Sequence, residues 1–298
     1  MMRLLVVGRE GQVARALAER GPTLGADVEF VGRPECDLTD PASVARAVMR
    51  GRADVVVNAA AYTAVDRAES EEALATAING PGAGAVAAAA RAIGAPVLHL
   101  STDFVFDGLL DRPYRENDAP RPTNAYGRSK LVGEGSVAAA NEAHVILRTA
   151  WVYSPFGANF VKTMLRLGET RAEVGVVADQ CGSPTSALDI ADALVAIAKR
   201  CAAVGKVEDL AGLYHMTGAD EATWADFAEA IFELAQQHGR RPVTVRRITT
   251  ADYPTVARRP ANSRLDNAKL ARVFGLGLPA WRESLQPVVS RLMAGVQA

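Results

Sequence analysis

A tyrosine and a lysine four residues apart are the sharpest chemical signal in the sequence. Tyr126 and Lys130 bound the stretch Tyr-Gly-Arg-Ser-Lys, and on a helix this spacing puts both side chains on one face, about one turn apart. A phenol with an ordinary pKa of about 10 is a poor proton shuttle at neutral pH, and a nearby ammonium lowers that pKa. The pair predicts a tyrosine that acts as an acid or base, or else a surface pair on a helix.

A glycine-containing turn follows the first apolar run of the chain. The segment from Gly8 to Ala14 reads Gly-Arg-Glu-Gly-Gln-Val-Ala, a compressed dinucleotide-binding fingerprint whose small residues permit a tight turn and close approach of a pyrophosphate. The phosphate would lie at the N-terminus of the next helix. Because such turns also occur without a ligand, this signal is weak when taken alone.

The second apolar run ends at Arg33, without the acidic residue that would bind a free ribose 2′-hydroxyl. An arginine near that position favours the 2′-phosphate of NADP. We therefore expect NADPH as the preferred cofactor, with NADH as the second choice. The alternative is that Arg33 is a solvated loop residue.

Small and polar residues end the third and fourth apolar runs. The third is followed by Ala59, Ala60, Ala61, Tyr62 and Thr63, which would let the backbone lie along a ligand, and the fourth delivers Ser101, Thr102 and Asp103. His99 stands between two leucines without a partner at metal-ligand spacing, so it is expected to be a packed strand residue.

Strand-like and helix-like segments alternate along the first half of the chain. LLVV, VEFV, VVVN and VLHLS alternate with VARALAER, PASVARAVMR and an alanine-rich helix around residues 82 to 93. Strands that are apolar throughout indicate a parallel sheet covered on both faces, which is a Rossmann-type doubly wound α/β fold. The carboxyl ends of such strands share one edge, where the residues above would line one crevice.

The alternation weakens after the strand HVILRTAWVY and the helical run NFVKTMLRL, where prolines become frequent. We expect a smaller C-terminal α/β substrate domain there. A helix capped by Thr185 or Ser186 is expected to return to cover the sheet. The predicted division assigns 1–152 and 184–217 to the dinucleotide-binding domain and 153–183 and 218–298 to the substrate domain.

Composition narrows the class of protein. Lys and Arg number 33 and Asp and Glu 34, for a net charge of −1 in 298 residues, so we expect no nucleic-acid partner. Three widely spaced cysteines suggest neither a disulfide framework nor a zinc site. The N-terminus makes a poor signal peptide, and the apolar stretch from 82 to 100 is broken by Arg91, Gly94 and Pro96, so we expect a cytoplasmic protein with no membrane partner.

Taken together, these motifs resemble those of the extended short-chain dehydrogenase/reductases, and within them the dTDP-4-dehydrorhamnose reductase family. The likeness runs nearly end to end. It is carried by the blocks VNAAAYTAVDRAES, STDFVFDG, NAYGRSKLVGE, RTAWVY, NFVKTML and RRPANSRLD, several of which are peculiar to that family.

The resemblance implies a cofactor site. It implies that Gly11, Gln12 and Val13 meet the pyrophosphate, that Asp37 and Leu38 lie by the adenine, and that Ala61, Tyr62 and Thr63 border the nicotinamide half. The motifs described above add four further residues to the expected cofactor site: Gly8, Arg33, Ala59 and Ala60.

The resemblance also implies the chemistry. Hydride would pass from NAD(P)H to the C4 ketone of dTDP-4-dehydro-6-deoxy-L-mannose, giving dTDP-L-rhamnose, while Tyr126 donates the proton. Thr102 would hydrogen-bond the developing alkoxide, and Lys130 would hold the nicotinamide ribose and depress the pKa of Tyr126. Trp151 and Asp103 are the expected sugar contacts, and the arginine-rich stretch around Arg259 would pair with the diphosphate.

The sequence departs from the family at a metal site. Some members form dimers through magnesium held by carboxylates on the first helix and on the helix after the Pro-Thr turn, and here those positions appear as Ala16 and Leu188. Magnesium needs oxygen ligands, so we expect no metal and a monomer or weak homodimer. The acidic residues Glu10, Glu19, Asp189 and Asp192 leave room for a rearranged site.

Other functions on the same fold are alternatives. Dehydratases of this superfamily place a glutamate after the Thr-Asp pair to eliminate water, whereas this chain has Phe104, which cannot do acid-base chemistry; an epimerase is similarly disfavoured. A noncatalytic regulatory subunit that binds NADP is the alternative from another class. The joint presence of Thr102, Tyr126, Lys130 and Trp151 argues against it.

Overall fold

The computed structural model describes residues 1–204 and 207–295. The strands are β1 (Met2–Val7), β2 (Ala26–Val31), β3 (Val55–Asn58), β4 (Val97–Thr102), β5 (His144–Thr149), β6 (Val152–Tyr153), β7 (Glu173–Val177), β8 (Cys181–Gly182), β9 (Thr185–Ser186), β10 (Gly212–His215), β11 (Ala222–Thr223) and β12 (Thr244–Ile248). The helices are α1 (Gln12–Thr23), α2 (Pro41–Arg50), α3 (Val65–Ala68), α4 (Glu72–Ala77), α5 (Ala83–Ala92), α6 (Ala125–Ala140), α7 (Phe160–Thr170), α8 (Ala187–Ala203), α9 (Trp224–Gln237), α10 (Ala268–Phe274) and α11 (Trp281–Met293).

Six parallel strands form the central sheet in the order β10-β5-β4-β3-β1-β2. The chain moves from β1 to β2 on one side and then to β3 on the other, so the strand order reverses between β1 and β3. In doubly wound sheets the ligand crevice opens at such a point, outside the carboxyl ends of the strands. The Rossmann-type α/β fold predicted from the alternating segments is confirmed.

Alternating side chains of β1 show why this sheet needs helices on both faces. Leu4 and Val6 pack in one buried cluster with residues of α1 and α8, whereas Leu5 and Val7 pack in a second cluster with residues of α2 and α5. Successive strand residues point to opposite faces, and since both faces are covered, the strand is apolar throughout. Helix α8 returns to the sheet as expected, and Ser186 is its N-cap, accepting from the Leu188 amide.

The C-terminal part of the chain has its own apolar cluster. Residues of α7, β7, α9 and α11 pack around Phe227 and Ile231, with Tyr153 and Trp281 buried among them. Strands β7 and β12 pair in parallel there. The division of the chain at 152/153, 183/184 and 217/218 stays a prediction.

Two predicted elements have different limits in the structure. The strand expected over 144–153 ends at Thr149, because Trp151 has φ +50°, outside the extended region, and the chain resumes as β6. The alanine-rich helix is longer than expected: α4 and α5 join through a π-helical turn at Ile78–Gly82. The run Glu72–Ala92 has the length and apolar character of a membrane-crossing helix, but 56% of its most apolar window is buried in the protein, as in core helices of soluble proteins.

Candidate active site

Helix α6 carries Tyr126 and Lys130, as the spacing predicts. Asn124 caps its N-terminus by accepting a hydrogen bond from the Gly127 amide at 2.8 Å. The Asn124 side chain also donates to the carbonyl oxygen of Arg258 at 2.9 Å. A single cap therefore fixes the start of the helix and ties it to the C-terminal part of the chain, which positions Tyr126 between the two.

Lys130 is buried, with 2% of its surface exposed. Its Nζ donates to the carbonyl oxygen of Leu100 at 2.7 Å and lies 3.3 Å from Nε2 of His99. Burial lowers the pKa of Lys130 to about 8, against a smaller opposing effect of Glu134. The amino group therefore lies against β4, at the carboxyl edge of the sheet.

Tyr126 is half-buried and lies beside Thr102 at the end of β4. Burial first, and the Asp103 carboxyl second, raise the pKa of Tyr126 above its usual value. The expectation that Lys130 lowers this pKa is wrong for the structure described, because the lysine points to Leu100 and His99 and burial dominates. A phenol with a raised pKa is fully protonated at neutral pH, which is the state a proton donor needs.

Thr102 and Asp103 lie beside that phenol and are both buried. The Thr102 hydroxyl donates to Oδ1 of Asp103 at 3.0 Å and accepts from the Phe104 amide at 3.2 Å. Burial raises the pKa of Asp103 to about 6, against smaller opposing effects of Ser263 and Thr102. Its Oδ2 is buried without a partner among the described residues, so it is an acceptor that a substrate hydroxyl could satisfy.

The glycine turn lies across the carboxyl ends of β1 and β3. Gly8 has φ +117°, and a Cβ there would lie 3.2 Å from the Ala60 nitrogen. Only glycine combines that backbone conformation with that approach. Gly11 is the N-cap of α1, with nothing within 4 Å of an added Cβ, which leaves the helix N-terminus open to an anion.

The other residues predicted to meet the cofactor have these positions. Val13 is buried under the turn. The Gln12 side chain points to the C-terminal part: it donates to the Val152 carbonyl oxygen at 3.3 Å and accepts from Ser154 at 2.7 Å. Arg33 is exposed. Asp37 accepts two hydrogen bonds from Thr39, which lower its pKa, and Leu38 is buried.

The alanine run after β3 is partly exposed along the same crevice, and Thr63 beyond it is exposed. Ala59 bonds through its amide to the Val7 carbonyl oxygen at 3.0 Å. The Tyr62 amide donates to Asn79 at 2.8 Å, and its hydroxyl donates to Glu71 at 2.6 Å. These contacts hold Ala60 and Ala61 near the turn at Gly8.

Trp151 lies flat on Trp224, with ring centroids 3.5 Å apart and planes 8° apart. Gly182 makes room for the indole, since a Cβ there would lie 2.5 Å from Cε2 of Trp151. Phe160 packs against Trp224, with ring centroids 4.6 Å apart. Sequence reasoning missed Trp224, whose only signal was an aromatic residue at the start of an amphipathic helix.

Arg259 connects the C-terminal part of the chain to the residues around Tyr126. It forms an ion pair with Asp66 at 2.7 Å and lies over the ring of Phe104 at 5.7 Å. Phe104 in turn meets Tyr126 edge to face, with centroids 5.6 Å apart. Sequence reasoning also missed Asp66, which accepts from the Ala257 amide at 3.0 Å as well.

A cleft of about 490 Å³ opens beside this ion pair. Its lining comes from both parts of the chain: Asp107, Gly108, Leu109, Asp179, Thr250, Pro254, Thr255, Val256, Ala257, Arg258, Arg259 and Ala261. The volume suits a small-molecule ligand. Arg264, by contrast, pairs with Glu221 at 2.8 Å on another side of the arginine-rich stretch.

No group of three or more histidine, cysteine or acidic residues suited to a metal occurs within residues 1–204 and 207–295. Three acidic residues near the position considered for magnesium have protein partners: Glu19 pairs with Arg291, Asp192 with Arg20, and Asp189 accepts from Ser284. The absence of a metal stays a prediction.

A Rossmann-type sheet with a glycine turn on β1 and a Tyr-x-x-x-Lys pair beside the β4 threonine defines the extended short-chain dehydrogenase/reductases. The family described as RmlD substrate binding domain matches residues 2–294, and the chain belongs to that family. A dTDP-4-dehydrorhamnose reductase of Sinorhizobium fredii is 50% identical over 98% of both chains.

Solved structures agree with this family. A dTDP-4-dehydrorhamnose reductase of Clostridium acetobutylicum superposes with a TM-score of 0.90 at 37% identity, covering 98% of this chain and 99% of that one. The same enzyme of Bacillus anthracis, in complex with NADP, has a TM-score of 0.89 at 35% identity, covering 98% of this chain and all of that one. The resemblance seen in the sequence blocks is confirmed.

Proposed function

We propose that this protein is an oxidoreductase that reduces the C4 ketone of dTDP-4-dehydro-6-deoxy-L-mannose to dTDP-L-rhamnose, the last step of dTDP-rhamnose synthesis. The observation that carries the proposal is the placement of Tyr126 beside Thr102, with Lys130 one helical turn further along α6 and bound to β4, in a chain that is 50% identical to a reductase of that name. The bound nicotinamide cofactor supplies the hydride.

The cofactor fits the residues present. The space at Gly8 that a Cβ would fill and the open N-terminus of α1 provide for a pyrophosphate. Lys130, at the edge of the crevice, would hold the nicotinamide ribose. Arg33, exposed at the end of β2, would pair with a 2′-phosphate, so we infer a preference for NADPH over NADH.

Tyr126 would give its proton to the ketone oxygen as hydride reaches C4. The raised pKa of the phenol keeps that proton available at neutral pH, and the Thr102 hydroxyl would stabilise the developing charge on the oxygen. The Trp151 indole would cover the apolar face of the deoxysugar, and Asp103 would accept from a sugar hydroxyl through its unpartnered Oδ2.

The arginines of the cleft would bind the nucleotide end of the substrate. Arg258 and Arg259 line the cleft, and Arg259 would exchange or share its Asp66 contact when a diphosphate binds.

The test is oxidation of NADPH and of NADH by the purified protein, with the keto sugar generated in place by the preceding enzymes. We expect oxidation coupled to dTDP-rhamnose, with a higher kcat/KM for NADPH. Tight cofactor binding without turnover would instead favour another nucleotide sugar or a regulatory role.

Our proposal for the oligomeric state rests on the two helices that carry metal ligands in some other family members. Ala16 is buried and Leu188 packs on the same apolar cluster, so we propose a monomer or weak homodimer without magnesium. Light scattering should give an unchanged mass on addition of EDTA, and a magnesium-dependent dimer would refute this.

A further inference from the structure

His99 is buried in β4 directly beneath the lysine of the proposed site. It is 1% exposed, and both ring nitrogens have neighbours: Nδ1 lies 3.1 Å from Nδ2 of Asn58, and Nε2 lies 3.3 Å from Nζ of Lys130. Nothing in the proposed mechanism uses this ring. Burial lowers its pKa well below the usual value, so the ring is neutral.

Hydrogen-bond direction fixes which nitrogen of the ring carries the proton. The Ala60 amide can only donate, and it donates to Oδ1 of Asn58 at 3.3 Å. The Asn58 nitrogen therefore faces Nδ1 of His99, and since an amide nitrogen also only donates, Nδ1 must accept. A neutral imidazole with an accepting Nδ1 carries its proton on Nε2.

That proton points at Lys130. An ammonium has three donors and no acceptor, so it would oppose the Nε2 proton, whereas a neutral amine accepts from it and still donates to the Leu100 carbonyl oxygen at 2.7 Å. The neutral amine is the state that satisfies every group in the chain of hydrogen bonds from Ala60 through Asn58 and His99 to Lys130.

We propose that His99 is a positioning residue for the proposed active site: its neutral ring, oriented by Asn58, holds the Lys130 amino group at the crevice and favours the unprotonated amine in the cofactor-free protein. The proposal rests on the proposed function only for the importance of Lys130. The same chain of hydrogen bonds connects that lysine to the Ala60 backbone, beside the glycine turn.

Charged groups around this part of α6 have other partners. Glu134, one turn further along α6, acts on Lys130 through its charge and is itself held by Arg148 and Ser101. Other ionisable groups near the start of α6 within the described ranges are Tyr126, Asp103 after β4, and Glu69 and Glu72, which bind the Ala125 amide and Arg128. Glu134 favours the ammonium, and burial outweighs it.

The direct test measures the protonation of Lys130 without turnover. The chain has only five lysines, so lysine labelled with ¹³C at Cε gives few resonances, and the Lys130 signal is the one lost in Lys130→Met. We expect it to titrate near pH 8, below the ordinary lysine pKa of about 10.4. Titration of Lys130 at that ordinary value would overturn the proposal.

Two substitutions of His99 separate its contacts. In His99→Gln the amide reaches the place of Nε2 and can turn its oxygen to an ammonium, so the Lys130 midpoint should rise by about one unit. In His99→Asn the amide reaches only Asn58. An unchanged midpoint in His99→Gln would contradict the proposed hydrogen-bond direction.

Kinetics distinguish a positioning role from a structural one. We expect both variants to have similar melting temperatures. Compared with His99→Gln, His99→Asn should have a higher KM for NADPH and a kcat about tenfold lower. His215→Gln is the matched control, because His215 is also fully buried in the central sheet but has no partner for either ring nitrogen among the described residues; it should leave the Lys130 titration unchanged. Equal effects of the two His99 substitutions, or a larger effect of His99→Gln, would reduce His99 to a packed strand residue.

Discussion

Trp151 and Trp224 stack with their planes 8° apart, although 73 positions separate them in sequence. Trp151 lies two residues after β5 ends at Thr149, and Trp224 begins α9, so the stack joins the sheet edge to the C-terminal part of the chain. Trp151 adopts a positive φ of 50° at this junction.

Removing Trp224, the ring on which Trp151 stacks, should weaken the sugar site and leave the cofactor site unchanged. In Trp224→Leu, Trp151 loses its stacked partner, worth about 0.5–1.5 kcal/mol beyond area burial, and its indole is free to move. We expect a fivefold or larger rise in the KM for the keto sugar with an unchanged Kd for NADPH. Trp281→Phe, in the same apolar cluster but outside the stack, is the control. Equal losses of sugar and cofactor affinity would contradict a role confined to the sugar.

Tyr126→Phe tests the proton donor. The phenyl ring keeps the contact with Phe104 but has no proton to give, so turnover should fall at least 10²-fold while NADPH binding stays nearly intact. Fluorescence titration of NADPH and initial rates measure the two effects. Unchanged turnover would refute the role of the phenol.

Asp103→Asn should stabilise the protein at neutral pH. The pKa of Asp103 is raised to about 6 by burial, so the unfolded chain releases this proton near pH 4 and the folded protein only near pH 6. The contribution of Asp103 to the free energy of unfolding is fully present below about pH 4 and is lost as the pH rises to about 6. This contribution amounts to about 2–3 kcal/mol. Denaturant unfolding should show a more stable variant at pH 7.5 and no gain at pH 4, together with weaker sugar binding. A variant less stable than the wild type at pH 7.5 would contradict this reading.

His215 makes stability depend on pH in the opposite direction. Burial lowers its pKa to about 3, so the unfolded chain takes up a proton below about pH 6.5 that the folded protein refuses. This contribution is complete above pH 6.5 and is lost as the pH falls toward 3, by about 2 kcal/mol at pH 5. His215→Leu should therefore lose less unfolding free energy between pH 7 and pH 5 than the wild type. Identical losses would show that the pKa of His215 is the same in the folded and the unfolded protein, so that burial does not lower it.

A buried ion pair fixes α6 to the sheet. Arg148 donates two hydrogen bonds to Glu134, at 2.8 and 2.7 Å, and both side chains are nearly inaccessible. Glu134→Gln leaves the guanidinium without its counter-charge and should cost about 3–5 kcal/mol, whereas the double variant Glu134→Leu with Arg148→Met should recover most of that loss. Thermal or denaturant unfolding measures this, and additive losses in the double variant would contradict it.

Sequence reasoning reached the sheet and the placement of Tyr126 and Lys130 on one helix because both depend on local pattern. Apolar runs such as Leu4 to Val7 need cover on both faces, and the four-residue spacing of Tyr126 and Lys130 fixes their common helical face. Neither inference needs knowledge of contacts between distant parts of the chain.

The parts that sequence reasoning missed depend on distant contacts. Asp66 meets Arg259 across 193 positions, and no local pattern indicates that partner. The pKa of Tyr126 was expected to fall because Lys130 is close in sequence, but burial and the neighbouring Asp103 decide it. Spacing gives the face of a helix, whereas desolvation depends on everything packed against it.

The most direct test of the central claim follows the hydride itself. NADPH carrying deuterium at the transferred position of its nicotinamide C4 is supplied with the keto sugar, and the product is examined by mass spectrometry and NMR. The account predicts dTDP-L-rhamnose with one deuterium at sugar C4 and one NADPH consumed for each product molecule. A product without deuterium at C4, or conversion of the sugar without net consumption of NADPH, would contradict it.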